Sequence, residues 1–221
     1  MVITWRRLLF SLLFVGLGLL ALQIDIRPVL ALKGQSFTVF EFLAPAAGWF
    51  LGPWFGAISV LGVKLVDLIT RQQDFTLVNV IRLFPLAFAA FYLGSRSKLI
   101  TLVPLAAIAA FLSHPVGREV WYYSLFWLVP IAAIPLKRHL FANALGATFT
   151  AHAVGGAAFI WAIDLPAKFW TNLIPIVAAE RLVFAIGIYL TVLLVNGLLV
   201  VLLKTLPKRV SRFLTDGLVI Q

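Results

Sequence analysis

The fold is decided by residues 37–70, which read FTVFEFLAPAAGWFLGPWFGAISVLGVKLVDLIT. The stretch is almost continuously apolar and has a Gly52-Pro53 pair near its middle. As one straight helix it would be about 51 Å long, whereas a bilayer core needs only about 20 apolar residues. Because proline removes a backbone donor and clashes with the preceding turn, we expect the helix to break near this pair, to tilt, or to start outside the membrane.

The composition of the rest of the chain is also that of a membrane protein. Of its 221 residues, 62% are hydrophobic and 12% are charged, against about 45–50% and about 25% in a soluble domain. These proportions exclude a soluble enzyme, a disordered chain and a disulfide scaffold. The apolar runs are continuous rather than alternating, which favours helices over a barrel. We predict an all-α fold, a single polytopic transmembrane helical bundle over residues 1–221.

Charge and cysteine content narrow the possible partners. The net charge is +10, but Lys and Arg cluster between the apolar runs, as the positive-inside rule expects, so we expect membrane lipid and no nucleic acid as a partner. The chain has no cysteine, which excludes a disulfide, a thiolate metal site and a cysteine nucleophile. We predict no metal and no cofactor.

Together with residues 37–70, the other apolar runs indicate about six spans. These other runs cover residues 8–22, 75–94, 99–113, 120–136, 140–163 and 169–203. The first run follows Arg6-Arg7, as a signal peptide also would, but no clean small-x-small cleavage site follows it. We therefore favour an uncleaved first span.

The basic clusters are compatible with two paths of the chain through the membrane. Arg6-Arg7, Lys137-Arg138 and the tail at residues 204–212 favour the cytoplasm. Six spans satisfy this if residues 99–136 cross once, although Arg96 and Lys98 then lie on the wrong side. Alternatively, residues 37–70 form a hairpin or re-entrant element and residues 99–136 cross twice, which puts every basic cluster inside. Both paths predict a multi-pass protein of the inner (plasma) membrane with both termini in the cytoplasm.

One stretch carries a resemblance to a known family. Residues 44–57, with the Gly-Pro-x-x-Gly pattern at Gly52, Pro53 and Gly56, lead into an apolar helix with the late polar residue Asp67. This resembles the second helix of the substrate-binding S-components of energy-coupling-factor (ECF) vitamin transporters. Residues 172–176 and the long apolar helix after them are similar to the last helix of that family.

The resemblance implies a function and partners. It implies capture of a small organic nutrient, a vitamin-like substrate, in an apolar and aromatic pocket. Uptake would need a transmembrane coupling subunit and an ATPase pair from other chains, because this sequence has no phosphate-binding Gly-x-x-x-x-Gly-Lys-Ser/Thr loop. The rod-shape membrane proteins share such a fold without transport, so a structural scaffold is the alternative.

Six residues are candidates for binding that substrate. We expect them to line one cavity open to the non-cytoplasmic side, because ionisable groups held in a membrane need a partner or water. Aromatic groups at the helix break add a stacking surface. The predicted substrate-binding residues are Trp49, Trp54, Lys64, Asp67, His152 and Glu180.

Each candidate also has a structural interpretation. Lys64 and Asp67 share one helix face with Arg71 and are equally compatible with an interfacial ion pair. Glu180 is compatible with an internal pair to Lys64 or Arg82, and His152 with a histidine bonded across a helix interface. The tryptophans are also typical of an interfacial belt.

An intramembrane enzyme is the least favoured alternative. It would use His114, Glu119 or His152. His114 and Glu119 do not form a His-Glu-x-x-His zinc motif, and no nucleophile elbow surrounds the neighbouring serine. We therefore predict no catalytic residues.

Overall fold

The computed structural model describes residues 5–26 and 37–208 of the chain. Within them the structure is almost entirely helical, apart from strands β1 (Asp25–Ile26) and β2 (Phe37–Thr38), which pair antiparallel. Short 3₁₀ helices cover Lys98–Thr101, Trp121–Leu128 and Ile134–Leu136. The α-helices are α1 (Trp5–Ala21), α2 (Phe40–Leu51), α3 (Pro53–Thr70), α4 (Leu77–Ile81), α5 (Phe84–Gly94), α6 (Leu102–Ser113), α7 (Pro115–Glu119), α8 (Val129–Ala132), α9 (Leu140–Ala162) and α10 (Ala167–Thr205).

Four helical segments are long and apolar enough to cross a membrane. They are Pro53–Thr70, Leu77–Gly94, Leu140–Ala162 and Ala167–Thr205. Many large apolar side chains point outward from the bundle, especially on α1 and α10, whereas α9 is mostly buried. The all-α prediction is confirmed at this level: the chain is a helical bundle compatible with a membrane protein.

The predicted break at Gly52-Pro53 is confirmed, and it is a reversal of direction. Helix α2 ends at Leu51 and α3 begins at Pro53, with Gly52 at φ +83°, a conformation that favours glycine. The two helices then run back against each other. A Cβ added at Gly56 would lie 2.5 Å from the Cα of Gly48, so the backbones touch and side chains are excluded between them.

Helix α5 packs behind this hairpin and reaches its turn. A Cβ added at Gly48 would overlap the carbonyl oxygen of Ala90, and one added at Gly94 would lie 2.9 Å from the nitrogen of Pro53. The C-terminal end of α5 therefore lies beside Gly52. On its other side α5 packs against α9, where the amide of Asn143 donates to the carbonyl oxygen of Leu93 at 3.2 Å.

A half-buried lysine holds the C-terminal end of α5. The Nζ of Lys137 donates to the carbonyl oxygens of Tyr92 (2.7 Å) and Ser95, and it lies 4.1 Å from the centre of the Tyr92 ring. Burial lowers the pKa of Lys137 to about 8. A cation at this position satisfies carbonyls that a helix end leaves without partners. The chain between Ser95 and Lys137 therefore leaves this end of the bundle and returns to it.

Most basic clusters predicted to be cytoplasmic collect at this same end. Arg7 lies over the ring of Phe55 in the first turn of α3, with 5.9 Å from its guanidinium carbon to the ring centre. We call the end marked by Arg7, Arg96, Lys98, Lys137 and Arg138 the basic end. The chain thus forms a hairpin in residues 37–70 and makes an out-and-back excursion before Lys137, which is compatible with the second path. Arg209 and Arg212 of the tail, and residues 27–36 of the first loop, lie outside the described residues.

Candidate functional site

Ionisable side chains from three helices meet inside the bundle. Glu41 lies in the first turn of α2, and Glu180 and Arg181 are neighbours on α10. The hairpin also brings Lys64 of α3 towards this group. Because Gly48 faces Gly56, seven residues further from the turn on each helix lie Glu41 on α2 and, on α3, the residue just before Lys64. The charges of both Lys64 and Arg181 act on the Glu41 carboxyl group. We call Glu41, Thr148, Glu180 and Arg181 the polar site.

Arg181 is the hub of the polar site, although its contacts are long. Its Nη2 lies 3.5 Å from Oε2 of Glu180, its Nη1 lies 3.4 Å from Oγ1 of Thr148, and its guanidinium carbon lies 4.5 Å from the centre of the Phe184 ring. Charge-assisted N–H···O bonds usually measure about 2.7–2.9 Å. The guanidinium is therefore held loosely by its neighbours.

Three polar groups of the site have unused hydrogen-bonding capacity. Oε1 of Glu180 and Nε of Arg181 are buried and have no hydrogen-bond partner among the described residues. Over the same part of the chain, Glu41 makes neither a hydrogen bond nor an ion pair. Buried polar groups are normally satisfied by protein, water or ligand, so Glu180 Oε1 and Arg181 Nε require a further partner, and half-buried Glu41 has room for one.

A small cavity lies between Glu41, Thr148 and Arg181. Its volume is about 10 Å³, which is the space for about one water molecule. The rest of its lining is apolar and comes from α2, α5, α9 and α10: Pro45, Leu86, Ala89, Ala151, Phe184 and Ile188. The polar site is thus closed, with room for a bridging water.

A second hydrogen-bond network adjoins the polar site. The indole N–H of Trp127 donates to Nδ1 of His152 at 3.0 Å, and Nε2 of His152 lies 2.9 Å from the hydroxyl oxygen of Tyr123. Since indole only donates, Nδ1 carries no proton, and a neutral imidazole then holds its proton on Nε2. Nε2 donates to Tyr123, which leaves the tyrosine hydroxyl proton free. The charges of Glu180 and Arg181 act on Tyr123, so the two networks are neighbours.

Replacing His152 by phenylalanine is expected to lower the free energy of unfolding by about 1–3 kcal/mol. The change leaves the buried N–H of Trp127 without an acceptor, and that loss carries the desolvation cost of the group. Denaturant titration in mixed micelles, followed by circular dichroism, measures the difference. His139→Phe is the matched control, because His139 is exposed. Equal effects of the two substitutions would contradict the assigned network.

The six predicted binding residues occupy two regions. Lys64, His152 and Glu180 lie around the polar site. Trp49 is half-buried near the hairpin turn, with its Nε1 unpartnered among the described residues, and Trp54 is 57% exposed and edge-on to the ring of Phe91 at 4.7 Å. The turn lies ten residues from Glu41 along α2, about 15 Å away, so the structure does not bring the tryptophans to this site.

Asp67 also points elsewhere. Its Oδ1 accepts from Nε of Arg71 at 2.7 Å, one helical turn later at the end of α3. The side chain of Arg71 is 48% exposed. This geometry is that of the interfacial ion pair considered from the sequence.

The residues considered for catalysis have structural contacts. Nδ1 of His114 accepts the backbone N–H of Val116 at 3.3 Å, and its ring meets the edge of Trp161. Glu119 is exposed. Across the described residues, no group of three His, Asp or Glu side chains could hold a metal ion.

Glu41, Thr148, Tyr123 and Arg181 were not among the predicted binding residues. In the sequence, Glu41 is a single charge that interrupts an apolar run, and Arg181 simply follows Glu180. Neither pattern indicates that the two residues meet. The available signal was the spacing of Gly48, Gly52 and Gly56, because glycines four residues on either side of a turn permit a tight hairpin and so bring Glu41 near the part of α3 that carries Lys64.

A larger groove lies on the outside of the bundle. It has a volume of about 520 Å³ and is open and almost wholly apolar. Its lining comes from α5, α6 and α9: Phe88, Leu102, Val103, Ala106, Ala107, Ala110, Val154, Ala157 and Ala158. None of these lining residues has a polar side chain that could orient a ligand. The polar site therefore remains the candidate functional site.

Comparison of the chain with protein-family models, curated proteins and solved structures finds no match.

Proposed function

We propose that the chain is a multi-pass membrane protein that captures a small organic nutrient at the polar site, in the manner of an ECF S-component. The observation that carries the proposal is the pair of buried, unpartnered atoms, Glu180 Oε1 and Arg181 Nε, near a cavity bordered by Glu41. Ionisable groups inside a membrane bundle mark substrate or ion pathways by default. Apolar walls with a few convergent polar groups are typical of small-molecule sites.

The orientation in the membrane follows from the basic end. Positive residues favour the cytoplasm, so Arg7, Arg96, Lys98, Lys137 and Arg138 face inward, and both termini are cytoplasmic. The membrane is the inner (plasma) membrane. The nutrient then enters from the opposite end of the bundle.

Uptake depends on other chains. No nucleotide-binding loop of the Gly-x-x-x-x-Gly-Lys-Ser/Thr type occurs in the sequence, so a transmembrane coupling subunit and an ATPase pair supply the energy. The role of this chain is binding, without catalysis and without a cofactor.

The polar site is closed in the described conformation. Drug-sized ligands occupy pockets of about 300–1,000 Å³, far above the roughly 10 Å³ beside Arg181. Binding therefore requires helices around the site to separate. The long contacts of Arg181 and the few direct contacts of Glu41 reduce the cost of that movement.

The test is the release of a bound small molecule. Protein purified in mild detergent is denatured, and the released compounds are identified by mass spectrometry. We expect a compound that is enriched with the wild type, retained by Glu119→Gln and lost from Glu41→Gln. Glu41→Gln suits the test because no hydrogen bond or ion pair of Glu41 within the described chain is broken. No enriched compound, or equal retention by both variants, would overturn the proposal.

A non-transporting scaffold of the rod-shape type is the second candidate. The observation that favours it is the closure of the polar site, where Arg181 contacts Glu180 and Thr148 of its own chain. A folded wild type that releases no compound, together with altered cell shape on deletion, would support this alternative.

A further inference from the structure

We infer that the molecule taken at the polar site carries a basic nitrogen, so that the ligand class is a small organic amine. The inference rests on the proposed function and specifies its substrate. It is carried by the carboxylate of Glu41, which borders the cavity without a direct partner among the described residues.

The charged groups around the cavity differ in how many direct contacts they make. Arg181 is directed to Glu180 and Thr148 through its two Nη atoms, and its face covers the Phe184 ring. Lys64 acts on Glu41 from across the hairpin but makes no ion pair with it. Glu41 is half-buried, and a carboxylate withdrawn from water normally has a cationic or hydrogen-bonding partner. The position beside Glu41 is therefore suited to a positive donor.

An amine fits this position better than an anion or a metal ion. An anion would face the Glu41 carboxylate in the cavity wall, beside an arginine that Glu180 already contacts. A metal ion requires several oxygen or nitrogen ligands, and no suitable group of three acidic or histidine side chains occurs in the described chain. A protonated amine needs only hydrogen-bond acceptors, which the Glu41 carboxylate and the Thr148 hydroxyl supply.

The walls of the cavity indicate the chemistry of the rest of the ligand. Phe184 meets the rings of Phe37 and Phe42 edge-on at 4.8 Å and 5.8 Å, and Leu86 and Ile188 complete an apolar lining. Such a lining favours a hydrocarbon or aromatic body. The unpartnered Nε–H of Arg181 adds a donor for an acceptor group next to the amine.

The experiment compares two probes that share a ring and differ in charge. Purified wild-type protein is titrated with benzylamine or benzoate, and the apparent melting temperature is followed by intrinsic fluorescence. We expect a saturable rise with benzylamine and an apparent affinity at least about tenfold weaker for benzoate, because the charge on the probe changes sign beside Glu41. Glu119→Gln should retain the benzylamine response, and Glu41→Gln should lose it.

The outcomes separate this inference from the proposed function. Stabilisation by benzoate equal to that by benzylamine, or a response to neither probe, would overturn the inference. A released compound that depends on Glu41 but has no basic nitrogen would overturn the amine class and leave nutrient capture standing. If Glu41→Gln does not fold, the comparison of the two probes on the wild type decides alone.

Discussion

Replacing Gly48 by alanine is expected to lower the free energy of unfolding by about 3 kcal/mol or more, the upper range for overpacked cores. The added Cβ would overlap the carbonyl oxygen of Ala90, a backbone atom that cannot rotate away. Helices α2 and α5 would have to separate, which disturbs the Gly56 and Gly94 contacts as well. Denaturant titration in mixed micelles measures the effect.

The matched control for that substitution is Gly16→Ala. A Cβ at Gly16 meets nothing within 4 Å, and the position lies inside α1. Alanine is the better helix former by about 1 kcal/mol, so we expect unchanged or slightly increased stability. A Gly48→Ala protein as stable as Gly16→Ala would show that the hairpin does not pack against α5 in this way.

Replacing Arg181 by methionine is expected to cost about 3–5 kcal/mol, because it leaves Glu180 buried without its counter-ion. The double variant Glu180→Gln, Arg181→Met removes both charges and should recover part of the loss. The resulting coupling energy should exceed about 1 kcal/mol, as is typical of groups in one network. Unfolding titrations of the two single variants and the double variant measure it.

The pair formed by Asp67 and Arg71 is the control. Its N···O distance of 2.7 Å is shorter than the 3.5 Å between Arg181 and Glu180, but Arg71 is 48% exposed. Exposed pairs contribute only about 0–1 kcal/mol, so Arg71→Met should have a small effect despite the shorter contact. Similar losses for Arg71→Met and Arg181→Met would show that Arg181 is solvated and that the polar site is open.

The helices and the break at Gly52-Pro53 could be predicted from the sequence, because apolar run length and the missing proline donor act locally. The reversal of direction could not be distinguished from a kink. It depends on the φ of Gly52 and on contacts of Gly48 with α3 and α5, which are distant in sequence. Only the hairpin path placed Arg96 and Lys98 with the other basic residues, but the sequence left both paths open.

Some residues at or beside the polar site could also be predicted from the sequence, whereas those brought there by distant contacts could not. Glu180 and His152 stood out because ionisable groups in apolar helices are rare. Glu41 came within reach of the charges of Lys64 and Arg181 only because the hairpin folds back and packs against α10. Trp49 and Trp54 were grouped with the charges because they flank the break, but the turn lies at the basic end, while the polar site lies about 15 Å along α2.

The shortness of α2 has a consequence for biosynthesis. Its 12 residues extend about 18 Å, against a hydrocarbon core of about 30 Å, and its first turn carries Glu41. On emerging from the ribosome, α2 is too short to span the hydrocarbon core by itself. We therefore expect α2 to insert only together with α3, as one hairpin closed by the turn at Gly52.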